Sequence, residues 1–462
     1  MNPPSSRTPA TTTPWGLVTG LGLAVLCYST TQMMVVPMLP DMAADIGVDA
    51  DAAAWLVSAF LLCTAVSTPL LGQVGDVVGR SRVLIAVLAL SAIGSLLAMT
   101  AQNFTLLLLA RILQGLGGST FPLAFGMARD VLPRARVAMA VGLISGSFGL
   151  GGSLGLVIAG FLSDAGSWRW TFTVSLAMSV GAIGFLWPTR RLHEPLSRRR
   201  LDWRGALTVT IGFTCLLLAI SQGQAVGWLR ASLPLSLAGA GLLVVWWWQA
   251  RRQSDPVFDV RMLVERSILP AHLTAILLGF MMYSNGFLIP LFVQHPAGLG
   301  RDVSTSSLVL LPALALSVVA GYLAAVMGRR SPALPIVTGA ILMALGFALA
   351  IAAGHHLLLL IVAVALSHGI GLNLMLAAIA STVTLNAPPD RIGEATGVNT
   401  AARTVGGSIG SQVAAALITA PAWGAAAGFS LAFGVCGIVA VIAAGLALLA
   451  RQPAPSPSDA TA

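Results

Sequence analysis

Charge is scarce in this 462-residue chain, at 9% of residues, so the places where it gathers invite a chemical reading. The stretch LLGQVGDVVGRSRV, residues 70–83, sets Asp76, Arg80 and Arg82 within seven positions, framed by Gly72 and Gly79. Glycine permits close backbone approach and unusual dihedrals. Asp76 can therefore accept from a nearby helix N-terminus or from an arginine fork, making a charged latch at a helix junction. Arg111 stands alone in FTLLLLARILQG, with Gln114 on the same face one turn away. A cation inside hydrocarbon costs roughly 2.5–3.5 kcal/mol on insertion scales, so Arg111 should face a protein interior or a wet cavity, where it can couple or orient. Arg403 raises the same question, with snorkelling to a nearby helix end as its other answer. His368 is the deepest group titrating near neutrality, which makes it either a proton-coupling site or a hydrogen-bonded interior histidine. The other titratable candidates are Asp41, Asp45, Asp164 and Asp302 on one side, Glu394 on the other, and His272.

Enzyme chemistry is not indicated. The chain has no G-x-S-x-G, no P-loop and no HExxH. Cys27, Cys63, Cys215 and Cys436 fall in separate apolar runs without metal-ligand spacing, and His355-His356 has no partner ligands. No cofactor, metal or disulfide is expected.

The elements that must position these residues follow from composition. At 56% hydrophobic residues and a mean hydropathy of +0.88, the chain lies well beyond the ~45–50% apolar usage of soluble domains. A crossing of a ~30 Å hydrocarbon core takes about 20 helical residues. Runs of that length fall near 15–38, 53–74, 82–101, 104–127, 138–163, 170–188, 206–224, 232–250, 268–293, 304–326, 333–353, 356–378, 395–419 and 424–449, which predicts fourteen transmembrane helices. All 25 basic residues are arginine. With both termini cytoplasmic, twenty of them lie inside, three outside (Arg169, Arg230, Arg301) and two within helices, in accord with the positive-inside rule. The net charge of +9 thus belongs to loops facing an anionic leaflet and not to nucleic-acid binding. The Pro/Ser/Thr-rich ends, 1–14 and 451–462, read as disordered tails. Trp246, Trp247 and Trp248 before QARR read as an interfacial anchor.

The chain also repeats itself. Gly72-x3-Asp76-x2-Gly79-Arg80 recurs as Gly321-x3-Ala325-x2-Gly328-Arg329, without the acid. ILQGLGG (112–118) is matched by LSHGIGL (366–372), and GLISGSFGLGGSLG (142–155) aligns on GVNTAARTVGGSIG (397–410). The offsets, 249, 254 and 255, are nearly constant, so two homologous halves are predicted. The expected fold is all-α and integral to the membrane: two pseudo-symmetric six-helix bundles, 15–188 and 268–450, with Arg-rich loops and an inserted helix pair at 189–267, a 6+2+6 plan. The glycines Gly142, Gly151, Gly155, Gly406 and Gly410 are candidates for close packing between helices. The inserted pair is expected to pack peripherally and to stay out of the central cavity. A cavity lining is sought among Tyr28, Phe60, Phe121, Tyr283, Phe287 and Phe292, with Thr31, Gln32, Asn285 and Asn373, although most membrane aromatics only pack or face lipid.

These motifs, together with MLPDMAADI (38–46), WLVSAFLL (55–62) and SWRWTF (167–172), resemble the major facilitator superfamily and, in the 6+2+6 plan, its fourteen-helix drug:proton antiporters. The resemblance implies a secondary transporter that rocks two bundles about a central site and exports hydrophobic or amphipathic small molecules against protons. It implies a monomer in a bacterial-type inner membrane. The chain departs from the pattern at three positions. Leu156 stands at the usual proline and Ala159 at a usual glycine of the fifth helix, and Thr31 stands where relatives carry an acid nine residues before Pro40. Thr31 cannot titrate, so coupling must move, and an exchange between Arg111 and His368 across the halves is one route. The same departure favours neutral or weakly charged substrates. It keeps a proton-independent lipid or amphiphile flippase or facilitator, and a solute symporter, as alternatives.

Overall fold

A computed structural model describes residues 14–48, 50–163, 167–191, 203–226, 232–252, 265, 268–301, 303–388, 391–419 and 423–449. The tails, Asp164, Asp302, Arg230 and most of both arginine-rich loops lie outside the described residues. The described chain is helical throughout: α1 (Pro14–Ile46), α2 (Ala50–Val78), α3 (Arg80–Met99), α4 (Phe104–Gly115), α5 (Thr120–Val131), α6 (Arg134–Ser163), α7 (Arg169–Leu186), α8 (Trp203–Val226), α9 (Leu233–Arg252), α10 (Leu269–Gln294), α11 (Val303–Gly328), α12 (Ala333–Ala353), α13 (Leu357–Val364), α14 (Leu372–Asn386), α15 (Ile392–Thr419) and α16 (Gly424–Leu449).

Local chemistry sets the boundaries. Gly79, at φ 113°, supplies the left-handed kink that separates α2 from α3. The Asn103 side chain caps α4 by accepting from the Leu106 amide at 2.9 Å. Two long apolar helices are interrupted at matched glycine motifs. α4 passes into α5 through a 3₁₀ turn at Leu116–Ser119, and α13 into α14 through a π stretch at Ala365–Gly371. Such irregular turns inside a helix mark hinges or functional positions.

Among the described residues, twelve helices are long and apolar enough to cross a membrane. The sequence count of fourteen is not met by this measure. α15 is long enough at 28 residues but too polar, because it turns Asn399, Thr400, Arg403 and Thr404 inward. α8 has only Leu207–Leu216 as a described apolar run.

Small residues let the helices approach closely. A methyl at Gly151 would meet the Leu26 carbonyl at 2.5 Å, and one at Gly155 the Thr30 carbonyl at 2.7 Å, so α6 lies along α1. The repeat-equivalent Gly406 and Gly410 press on the Ile276 and Phe280 carbonyls in the same way, laying α15 along α10. Two further seams join the repeats: α2 against α15, and α6 against α11. α8 and α9 pack on each other through Gly212 and Gly239, and α8 rests on α2 and α15.

Candidate functional site

The latch forms at the end of the molecule where α2 gives way to α3. Arg80 reaches Asp76 with Nε at 2.8 Å and Nη2 at 2.7 Å, and Asp130 on α5 with Nη1 at 2.6 Å. Arg80 and Asp76 are both buried. The second oxygen of Asp76 accepts from the Gly393 amide at 3.2 Å, in the first turn of α15, so the charged cluster spans the two repeats. Gly72 makes that approach possible, since a methyl there would meet the Gly393 carbonyl at 2.7 Å. Beside it, Arg129 donates to the carbonyls of Thr384 on α14 and of Ala387 just past its end, a second link between repeats. Two corrections follow. Arg82 is exposed and belongs to the helix surface, not to the latch. Asp130 completes it, and its only sequence signal was a lone acid among the three arginines of ARDVLPRAR.

The centre holds two buried cations. Arg111 donates to the Leu56 carbonyl at 3.0 Å, the Thr31 carbonyl at 3.4 Å and Gln114 Oε1 at 2.8 Å, and lies 4.3 Å above the Phe60 ring. Its Nη2 is buried with no hydrogen-bond partner among the described residues. Arg403 does not snorkel. It is buried, with its guanidinium 5.1 Å from the Phe121 ring and 5.7 Å from Phe148, so a cation of the second repeat rests on aromatic faces of the first. Tyr28 lies among these rings, stacked on Phe60 and edge-on to Phe121. Gln32 donates to the Tyr283 hydroxyl across the repeats at 3.2 Å. Thr31 is buried and donates to Ser175 at 3.1 Å, an ordinary structural contact.

His368 belongs to a separate polar cluster. Its Nδ1 lies 3.5 Å from Asn285 Nδ2, and Asn373 donates to the His368 and Gly369 carbonyls at 3.0 Å each. The extra residue of the π stretch exposes these carbonyls to Asn373. The Asn285 and Asn373 side-chain oxygens are buried with no hydrogen-bond partner among the described residues. Among the described residues, the partners of Arg111 all lie in the first repeat and those of His368 in the second. The direct exchange between Arg111 and His368 therefore does not occur in this structure. Phe287 is exposed on the outside of α10, so it leaves the cavity set.

The α2/α15 seam opens at the end away from the latch. There a cleft of about 100 Å³ is lined by Trp55, Ser58, Tyr283, Thr404, Ser408 and Gln412, and also by Leu218 of α8. The inserted pair thus contributes a side chain to the cleft, contrary to expectation. Neither Gln222 nor Trp228 has a described side chain. Leu218 carried no signal in the sequence, because an apolar residue in an apolar helix is indistinguishable from one that faces lipid.

At the same end as the cleft, Asp45 accepts from Arg169 Nη1 at 2.7 Å and from the Trp168 indole at 3.1 Å, fastening α1 to α7. The Arg169 hydrogen bond, aided by that from Trp168, holds the Asp45 carboxyl below its ordinary value of 3.8.

Membrane-length helices, an internal repeat and a charged seam running between the repeats define a multi-pass helical transporter. The chain belongs to the Major Facilitator Superfamily, whose model matches residues 21–411. Multidrug resistance protein 3 of Bacillus subtilis is 26% identical over 320 residues, covering 68% of this chain and 62% of that protein. Multidrug resistance protein Stp of Mycobacterium tuberculosis is 27% identical over 413 residues, covering 87% of this chain and 75% of its own length. An uncharacterized MFS-type transporter of M. tuberculosis is matched over 49% of its length, so this chain spans only half to three-fifths of several relatives. The crystal structure of the human organic anion transporter MFSD10 (TETRAN) shares the fold, with a TM-score of 0.67 at 18% identity, covering 95% of this chain and 100% of that one.

Proposed function

We propose that the chain exports hydrophobic or weakly charged amphipathic small molecules across the cell membrane by alternating access, with protons as the counter-substrate. The observation that carries this reading is the inequality of the two ends of one seam. At the latch end, Gly72 touches Gly393 and Gly397 touches Pro69, while the far end of the same helices parts at Trp55 and Gln412. A cleft of about 100 Å³ is smaller than the ~300–1,000 Å³ of a small-molecule site, so it has to widen to load substrate. The charged α2/α15 seam acts as the gate, and the uncharged α6/α11 seam as the pivot. Tyr283, Thr404 and Ser408 orient the cargo, and Arg403 and Arg111 disfavour dications. Coupling is placed on His368 with Asn285 and Asn373, whose unpartnered oxygens can accept from a protonated imidazole. The name carried by the Bacillus and Mycobacterium relatives supports drugs as the cargo class. The architecture we assign is 6+2+6, with α8 and α15 also crossing and both termini cytoplasmic, as a monomer.

A second reading, transport without protons, is favoured by Thr31, which cannot titrate and is engaged with Ser175. Efflux in inverted vesicles under an imposed pH gradient, across chemically diverse substrates, separates the two. Gradient-driven accumulation supports antiport, and equilibration of substrate without accumulation, indifferent to pH gradient and membrane potential, supports the facilitator.

A further inference from the structure

Between the inserted helices and the α2/α15 seam lies a second cavity, of about 490 Å³. Its inner wall is Pro69 of α2 with Val398 and Ala401 of α15, and its outer wall is Phe213 of α8 with Val244 and Trp247 of α9. Gly397 packs on Pro69 directly behind it, so the cavity lies against the place where the two repeats touch. The lining is apolar except for the indole N–H groups, with nothing to orient a drug-like molecule as the polar cleft at Ser58 and Ser408 could. The outer wall is itself open to the bilayer: Val244 is 67% exposed.

Charge sits at one mouth of this cavity. One turn beyond Trp247, α9 ends in Arg251 and Arg252, both exposed. Arg251 lies 5.1 Å from the Trp247 ring and Arg252 3.6 Å from the Trp248 ring. Arg204, in the first turn of the antiparallel α8, is exposed too. Among the described residues, none of the three has a carboxylate partner. An apolar slot of chain-sized volume, open to the bilayer and headed by guanidinium groups that have no carboxylate partner among the described residues, has the chemistry of a lipid and its headgroup. Guanidinium forks match phosphate oxygens, and anionic lipid is drawn to basic segments at the membrane surface.

We propose that this crevice binds an anionic glycerophospholipid, with one acyl chain between α9 and the α2/α15 seam and the phosphate at Arg251 and Arg252. The bound chain bridges the inserted pair to both repeats and favours the state in which the seam behind it is closed. The site stands on its own geometry and does not depend on the exporter reading.

The test uses the purified full chain in detergent, with phosphatidylglycerol and phosphatidylcholine of identical acyl chains compared by native mass spectrometry. The wild type should retain phosphatidylglycerol preferentially. The surface pair Arg251→Gln and Arg252→Gln should erode that preference by about fivefold for each arginine removed, while Val244→Trp, which fills the slot from its exposed wall, should reduce retention of both lipids. In the unaltered protein, a phosphatidylglycerol with a photoreactive group in its acyl chain should label residues 209–213, 244–247 and 398–401. Equal retention of the two lipids, or label spread evenly around the helices, overturns the proposal. So does a photoreactive hydrophobic drug that labels these segments while the lipid does not.

Discussion

At α6/α11 the backbone of Gly142 meets that of Gly321, and at α2/α15 the backbone of Gly72 meets that of Gly393. The internal repeat relates these seams, since Gly72 and Gly321 are equivalent. From this shared start they diverge. The α2/α15 seam carries Asp76, Arg80 and Asp130 and the Gly393 amide at one end, and parts into a cleft at the other. The α6/α11 seam has Ala325 where the acid would be, and stays joined to its far end, where Ser307 donates to the Leu156 carbonyl at 3.2 Å and crowds Gly160. One duplicated seam thus takes two different forms. A seam held by buried charge can be switched, because each partner left behind is costly to bury alone. A seam held by backbone packing has no such alternative state.

The largest effect should come from removing the charge. Asp76→Asn leaves Arg80 without one of its carboxylates, and transport should fall by at least about tenfold in vesicle efflux, while Ala325→Ser at the equivalent place should leave it within about twofold. Equal rates for Asp76→Asn and the unaltered protein would break the comparison at once. Next come the glycines. Gly142→Ala and Gly72→Ala both insert a methyl into a carbonyl, but the first strains a contact proposed to persist through the cycle and the second one that opens. Thermal unfolding should therefore show the greater loss for Gly142→Ala, of several degrees against a smaller shift for Gly72→Ala.

A mid-sized effect should appear in the cleft. Leu218→Trp narrows it from the inserted pair, and the KM of bulky substrates should rise about threefold to tenfold while small ones are unaffected. If bulky and small substrates respond alike, Leu218 is not part of the loading path. His368→Gln should abolish the response of efflux to an imposed pH gradient while leaving downhill movement of substrate intact, and a preserved gradient response removes His368 from coupling. The smallest effect is expected at Asp45. Its carboxyl is held below 3.8, so the clamp to Arg169 is present above that value and lost only as pH falls through the lower folded one. Both side chains are substantially exposed, so Asp45→Asn should cost less than about 1 kcal/mol in unfolding measurements near neutrality.

The sequence revealed what repeats and what is rare. Helix runs, the duplicated glycine frame and the burial of Arg111 were legible because hydropathy, spacing and an isolated cation in an apolar run are one-dimensional signals. Partnership was not. Asp130 meets Arg80 from 50 residues away and Gly393 meets Asp76 from 317, and nothing in GDVVGR says which distant amide or acid will complete the cluster. Arg82 looked like part of the cluster because it is near in sequence, but a helix turns residues two apart to different faces. Arg403 looked able to snorkel because its depth was unknown, yet it settles on Phe121 and Phe148 of the other repeat. α15 reads as a crossing by its repeat and as too polar by its composition, because its polar face is turned to protein.

The division into gate and pivot can be measured directly with spin-label pairs in a cysteine-free background. One pair, Val78→Cys on α2 with Asn386→Cys at the end of α14, reports the separation of the repeats at the latch end, beside the α2/α15 seam. Another, Arg136→Cys with Arg330→Cys, spans the same end of α6/α11. On adding substrate under a proton gradient, the Val78–Asn386 distance should broaden and lengthen by several ångströms while the Arg136–Arg330 distance holds. Equal lengthening of the two would contradict the account.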